Sequence, residues 1–186
     1  TLYFTKDILL AKTSIESSTT DANIILMDVQ SNEKAAIENT IIQKELNVID
    51  NIPIVTMRMH RIKDQLVNDL RKDSTSTMNR WILNHEFRTT YRSSLLASEE
   101  ITEGKWVENT GKGEPVLISI ADNIARDTKL KVGDEVVFNI QGVLMKTIVG
   151  SVRKVNWGNM QLNFSIVFPA GVLENAPQFN VLTTYV

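Results

Sequence analysis

Apolar and polar positions alternate at period two in two separate stretches of the chain. From Ile54 to Ile62, Val55, Met57 and Met59 fall on one side and Thr56, Arg58 and His60 on the other. After a tight polar turn at Asn156-Trp157-Gly158-Asn159, Leu162, Phe164, Ile166 and Phe168 alternate again, with Val152 and Val155 ahead of the turn. That period marks strands with one buried face, so residues 151–174 read as two short strands around a turn. Pro169-Ala170-Gly171 stops the second, because proline lacks a backbone donor and glycine tolerates positive φ. Asn23 to Val29 (NIILMDV) is apolar on both faces, as a central strand would be. Ala36, Ile37, Thr40, Ile41 and Lys44 recur at helical spacing. They predict a helix from an N-cap at Ser31 to about Glu45, with Glu33 in its first turn favouring the dipole. With a turn over Asn47–Pro53, residues 23–62 form a β-α-β unit.

The remaining segments are weaker in pattern. Thr1 to Ser17 predicts an amphipathic helix, and Ser18–Asp21 a linker. Val67 to Asn79 is polar and aperiodic, an exposed connection. Trp81 to Tyr91 predicts a strand, and Ile101 to Val107, with Gly104 and Trp106, is followed by a flexible turn over Thr110–Gly113. Ser119 and Asp122 stand at capping-box spacing before a short helix to about Thr128. Leu130-Lys131-Val132-Gly133-Asp134 is a turn into a strand over Glu135–Ile140. Gln141-Gly142 closes a hairpin onto Val143–Val149, and Phe179 to Val186 is a last strand. The expected class is α+β: a split β-α-β subdomain with a strand-rich subdomain inserted in it.

Length suits one domain or two small ones. The net charge of −2 argues against nucleic acid, which needs a basic face. The 186 residues contain no cysteine, which removes disulfides, thiol catalysis and cysteine metal sites. No run approaches the roughly 18 apolar residues of a membrane-spanning helix. His60 and His85 are the only histidines. Ser93, Ser94 and Asp64 could complete a triad by composition, but no serine sits in a nucleophile elbow. His85-Glu86 is not H-E-x-x-H, because Thr89 holds the last position. Asp28 lies in an apolar strand, where a strand-end carboxylate paired with an arginine or capping the next helix explains it better than a buried base. Glu99, Glu100 and Glu103 supply too few oxygens at the wrong spacing for calcium and read as a solvated acidic turn. Gly111-Lys112-Gly113 is not a phosphate-binding loop. The expectation is a non-catalytic chain with no cofactor and no metal.

The region Ser151–Glu174 closely resembles a segment of large FtsX-like permeases of bacterial ABC exporters. That segment reads R-x-V-x-W-x-x-M-x-x-N-F-x-x-x-F-x-x-G-x-L-E. It is matched here by Arg153, Val155, Trp157, Met160, Asn163, Phe164, Phe168, Gly171, Leu173 and Glu174. The run from Ser119 to Phe138 is similar to the strand-helix-strand opening of the same family's extracytoplasmic region. The resemblance implies a MacB-like periplasmic core domain. Residues 1–66 would be the first half of a Porter-like subdomain with an N-terminal helix, 67–78 a connection, 79–170 a Sabre-like subdomain, and 171–186 a return strand. The second Porter half would be absent, leaving a sheet edge open to self-association.

The implied site on the cell inner membrane is periplasmic. The implied partners are the transmembrane helices of the same permease, a separate ABC ATPase subunit acting through them, and a periplasmic protein or lipophilic substrate. Arg153, Trp157, Asn163, Phe164, Phe168 and Trp106 are the motif or partner-contact candidates. Among them Phe164 is better suited to the core and Trp157, in a turn, to contact. Two other classes stand beside this one. Leu130 to Val136 resembles the turn of swapped-hairpin regulators and double-psi barrels, a nucleic-acid module that the charge disfavours. A periplasmic ligand-binding or hydrolase domain would need convergent polar groups in a concavity.

Overall fold

A computed structural model describes residues 22–158 and 162–186. The helix expected over Thr1–Ser17, the linker 18–21 and Met160 lie outside those residues. The described chain divides into two units, one ending at Ile52 and resuming at Asn180, the other comprising Pro53–Phe179. The sequence-based boundaries at 66–67, 78–79 and 170–171 all lie inside the second unit.

In the first unit, β1 (Ile24–Gln30) leads to helix α1 (Lys34–Gln43) and the opening of β2 (Val48–Ile62), and β10 (Phe179–Thr184) returns from the far end of the chain. The strand order is β1-β10-β2, so the last strand lies between the first two. Helix α1 covers one face. Its Ile37 and Ile41 pack with Leu26, Val29, Leu46, Val48 and Leu182. The sequence placed β1 at the centre of a sheet. Among the described residues it is an edge strand, with Ile24, Ile25 and Met27 exposed. Asp28 is exposed with a φ of 58°, a kink that interrupts the edge. It is neither a buried base nor a helix cap.

Helix α1 starts later than expected. Glu33 holds its N-cap position without a side-chain cap bond, and no acidic residue lies in the first turn. The expected turn at Asn47–Pro53 is instead the opening of β2.

The second unit is built around a closed ring of strand pairs. β2 pairs antiparallel with β4 (Phe87–Tyr91), Val55 opposite Thr89. β4 pairs parallel with β9 (Ile166–Phe168), and β9 antiparallel with β6 (Leu117–Ala121). β6 runs parallel to β8 (Val143–Val155), β8 antiparallel to β7 (Glu135–Ile140), and β7 antiparallel to β2. The circuit is a six-stranded barrel. Its interior follows the period-two rule of barrels. Val55, Met57 and Met59 are buried with Phe87, Ile118, Ile120, Val136, Phe138, Ile140, Ile166 and Phe168. Phe138 and Phe168 meet edge to face at 5.8 Å.

The hairpin from β7 to β8 has Ile140 opposite Val143, and Gln141 and Gly142 both take positive φ (50° and 100°). That is the turn conformation whose twist matches paired strands.

Several local expectations do not hold. Residues 151–174 are not a hairpin, because β6 lies between β8 and β9 and pairs with both. Trp81–Tyr91 is not one strand. A short helix α3 (Arg80–Asn84) precedes β4, and the Asn79 side chain caps it by accepting from the Trp81 N–H at 3.0 Å. The connection 67–79 begins as helix α2 (Val67–Lys72), which follows the two-residue β3 (Gln65–Leu66) and buries Val67 and Leu70. Ser119 is no helix cap. It lies in β6 with its hydroxyl on that of Ser151 at 2.8 Å, and α4 (Asp122–Thr128) begins after Ala121.

Candidate functional site

Strand β5 (Glu99–Gly104) pairs antiparallel with the last third of β8, Glu99 opposite Val155 and Ile101 opposite Arg153. Glu99 and Arg153 are therefore diagonal neighbours on one face. The Arg153 side chain is fully buried, and its Nε donates to Glu99 Oε1 at 3.1 Å. One terminal nitrogen donates to the Ser119 carbonyl at 2.7 Å, and the other to the Phe164 carbonyl. The planar guanidinium fork thus joins β5, β6 and the segment entering β9 in one stroke, which a lysine's point charge could not do.

Glu99 also accepts from Arg92 and from the Leu96 N–H. Arg92 in turn lies over the Trp106 ring at 5.6 Å, and the Trp106 indole donates to the Ser93 carbonyl at 2.9 Å. Burial alone would raise the Glu99 carboxyl, but its bonds and proximity to Arg92 and Arg153 outweigh it and hold the group below the usual carboxylate range. Burial also lowers Arg153 to about 10, against the attraction of Glu99. Both groups stay ionised at neutral pH.

This cluster supports a turn. The Asn156 N–H donates to the Ser98 carbonyl at 2.9 Å. The Asn156 side chain accepts from the Gly158 N–H at 3.1 Å, and Asn163 reaches back to the Asn156 carbonyl at 3.2 Å while accepting from the Ser98 hydroxyl at 3.3 Å. Trp157 rides on this braced turn and is 50% exposed. A large exposed aromatic side chain is the kind of group that dominates protein contacts.

The six sequence candidates therefore separate. Arg153, Phe164 and Phe168 are internal, Asn163 braces the turn, Trp106 is half-buried against Arg92, and Trp157 is presented outward. Further along the motif, Gly171 (φ 93°) passes the Thr110 carbonyl so closely that an added Cβ would stand 2.5 Å away. Glu174 accepts from the Gly171 N–H, and Leu173 is wholly buried. Most of the motif is thus internal or structural, and Trp157 is its exposed ring. Substituting Trp157 by alanine is expected to change folding stability by no more than about 0.5 kcal/mol, as for other surface positions. A urea titration with unchanged slope and midpoint would show this.

Glu99 was missed in the sequence, where it read as part of a solvated acidic turn. Its partner Arg153 is 54 positions away. The strand's alternation turns the exposed Glu100 to the opposite face, and the bulge between Ile101 and Glu103 puts Glu103 out of step with Glu99.

The histidines serve no comparable cluster. His85 is stacked on the half-exposed Trp81 at 4.0 Å, and partial burial lowers its pKa against the pull of Glu86. Ser93 and Ser94 are exposed, and His60 lies on β2. Among the described residues no group of three or more His, Asp or Glu could hold a metal ion.

No family model matches the chain. It is 22% identical over 156 residues to the uncharacterized ABC transporter permease YbbP of Escherichia coli (strain K12), across 84% of this chain and 18% of that protein. The chain is related to an ABC transporter permease. It spans less than a fifth of that relative's length. The crystal structure of a domain of a protein classed as a permease, from Porphyromonas gingivalis, is similar at a TM-score of 0.41 and 12% identity, covering 77% of this chain and 65% of that one. Among the described residues no helix is long and apolar enough to cross a membrane.

Proposed function

We propose that this chain is an extracytoplasmic domain of a bacterial ABC exporter permease of the FtsX-like, MacB-like kind, on the periplasmic side of the inner membrane. One observation carries the reading. The similarity to a permease runs through most of this chain, yet among the described residues no helix is long and apolar enough to cross a membrane. A domain of that sort works mechanically. Closure of transmembrane helices, driven by a separate ATPase subunit, becomes motion of a rigid body outside the membrane. The rigid body here is the barrel with its buried charge cluster, and Trp157 is its contact for a periplasmic protein or lipophilic substrate. The domain is non-catalytic and needs no cofactor. On this reading the first unit is Porter-like and the barrel unit Sabre-like.

A cysteine replacing the exposed Val143, in the full-length protein with any other cysteine replaced by serine, should react with a membrane-impermeant maleimide on intact spheroplasts. Reaction only after lysis would place the domain in the cytosol and end the proposal.

The closed barrel also suits a nucleic-acid module, the alternative read from Leu130–Val136. The net charge of −2 disfavours it. Retention of DNA on a filter at low salt would favour that alternative.

A further inference from the structure

Three segments of the second unit close around a cavity of about 350 Å³. They are the turn from β2 into β3, the loop that follows α2, and the end of α4. Lys63, in the turn, donates from its ammonium to the Lys129 carbonyl at 3.1 Å and pairs with Asp134 at 2.9 Å. Lys129 reaches across to the Thr77 hydroxyl at 3.2 Å, and the Asn79 amide donates to the Asp127 carboxylate at 3.2 Å. The loop is thus fastened to the helix end at two points. The apolar part of the lining is Ile62, Leu70 and Met78.

Two charged groups of this lining remain to be matched. The Asp73 carboxylate accepts from the Thr75 N–H and hydroxyl at 2.8 and 2.6 Å, bonds that hold its pKa below the ordinary value. Among the described residues it meets neutral groups alone, as does the Lys129 ammonium on Thr77. A partner of opposite charge would bind each more strongly. Lys63 and Asp127, by contrast, are already engaged within the protein. The backbone draws attention to the same place. Lys63 and Lys129 take φ of 52° and 57°, a conformation that a Cβ makes costly and glycine would relieve. Lys63 is explained by its bonds to Asp134 and the Lys129 carbonyl. At Lys129 the fold gains one bond to a hydroxyl, and what the position offers besides is an ammonium at the cavity.

From this geometry we propose that the cavity binds a short peptide in its dipolar form. Asp73 takes the ammonium end, Lys129 takes the carboxylate end, and the side chains lie over Ile62, Leu70 and Met78. A ligand of one charge would meet one attraction and one repulsion, whereas a dipolar one satisfies both. The volume is at the low end of the roughly 300–1,000 Å³ of small-ligand sites, which suits a dipeptide rather than a longer chain. The site stands whichever side of the membrane the domain occupies.

Millimolar L-alanyl-L-alanine, added to the 186-residue chain, should move the amide resonances of Thr75, Thr77 and Lys129 saturably and leave Val181, in the first unit, unmoved. Acetylating its amine or amidating its carboxylate should each weaken binding about tenfold or more, as should Asp73→Asn and Lys129→Gly. In Asp73→Asn, acetylation should no longer matter, and in Lys129→Gly amidation should no longer matter, because each variant lacks the charge that reads that end. Lys129→Gly should melt no lower than wild type, since glycine suits the left-handed backbone. That separates loss of ligand from loss of fold. Absence of saturable shifts, or equal binding of the free and blocked dipeptides by the wild type, would overturn the site.

Discussion

Replacing Glu99 by glutamine is expected to destabilise the protein by about 3–5 kcal/mol, the range for breaking a buried ion pair from one side. At roughly 2–4 °C per kcal/mol for a chain of this size, the melting temperature should fall by about 6–20 °C. The variant keeps the volume of the side chain, so the loss reports charge. Arg153, with no exposed surface, would be left without its carboxylate, and Arg92 would lose its bond to the same group.

The pH dependence follows from the direction of the Glu99 shift. Its carboxyl lies below the ordinary value of 4.5 in the folded protein. Its contribution is therefore complete above that value and is lost as pH falls through the lower folded value. The wild-type acid limb below pH 4.5 should be steeper than that of Glu99→Gln. It should not vanish, because Asp73, Asp134 and Glu135 are also held low.

Burial lowers Arg153 to about 10 in spite of Glu99, so its charged form is costly to bury, and the net contribution of the pair is smaller than the loss on breaking it from one side. Glu99→Leu combined with Arg153→Met should cost less than the two single changes summed, with a coupling of about 2 kcal/mol or more in the double-mutant cycle. Strictly additive single changes would refute the buried pair as one unit.

What was legible in the sequence shares a physical character. Met57 and Met59 alternate with polar neighbours, and their strand has one face in the barrel. The Gln141-Gly142 turn joins strands only two residues apart, so its chemistry and register are local. The misreadings concern pairing across distance. β8 and β9 are neighbours in sequence, but β6 comes from more than twenty residues upstream and takes the place between them. Nothing in the alternation of Leu162–Phe168 tells which strand it will meet. The Glu99–Arg153 pair is hidden for the same reason. Arg153 was singled out as a motif residue, while the carboxylate that permits its burial was read with Glu100 and Glu103 as a solvated acidic turn. Helix α3 is a different case. Trp81-Ile82-Leu83 has strand-forming composition, but Asn79 just ahead is a good N-cap, and that signal was available. For β1, apolar residues on both faces suggested a centre. The return strand β10, which comes after the whole of the second unit in sequence, took the inner position and left β1 at the edge of the described sheet.

Gly104→Ala is the second large effect, and its size comes from the backbone. Gly104 ends β5 with a φ of 75°, and a Cβ there would lie 2.2 Å from the Gly150 carbonyl oxygen. The same carbonyl accepts from the Lys105 N–H at 3.2 Å, so it cannot swing away without breaking the bond that closes the β5–β8 ladder. Left-handed backbone costs a residue with a Cβ about 1–2 kcal/mol, and displacing main chain in a paired strand adds to that. The expected total is about 2–3 kcal/mol, at the upper end of the range for strain at special backbone positions. Gly142→Ala provides the control. Gly142 has a φ of 100°, also in the left-handed region, but a Cβ there would meet nothing within 4 Å. Its cost should stay near 1–2 kcal/mol, and the difference between the two variants isolates the clash. Chemical denaturation of both would measure it. Because Gly104 lies at the far end of the strand that carries Glu99, exchange of the Val155 and Asn156 amides should also rise in Gly104→Ala, loosening the turn that presents Trp157. Equal losses for the two alanine variants would mean that β8 yields to the intruding methyl, and the charge cluster would then not be the rigid base on which that ring depends.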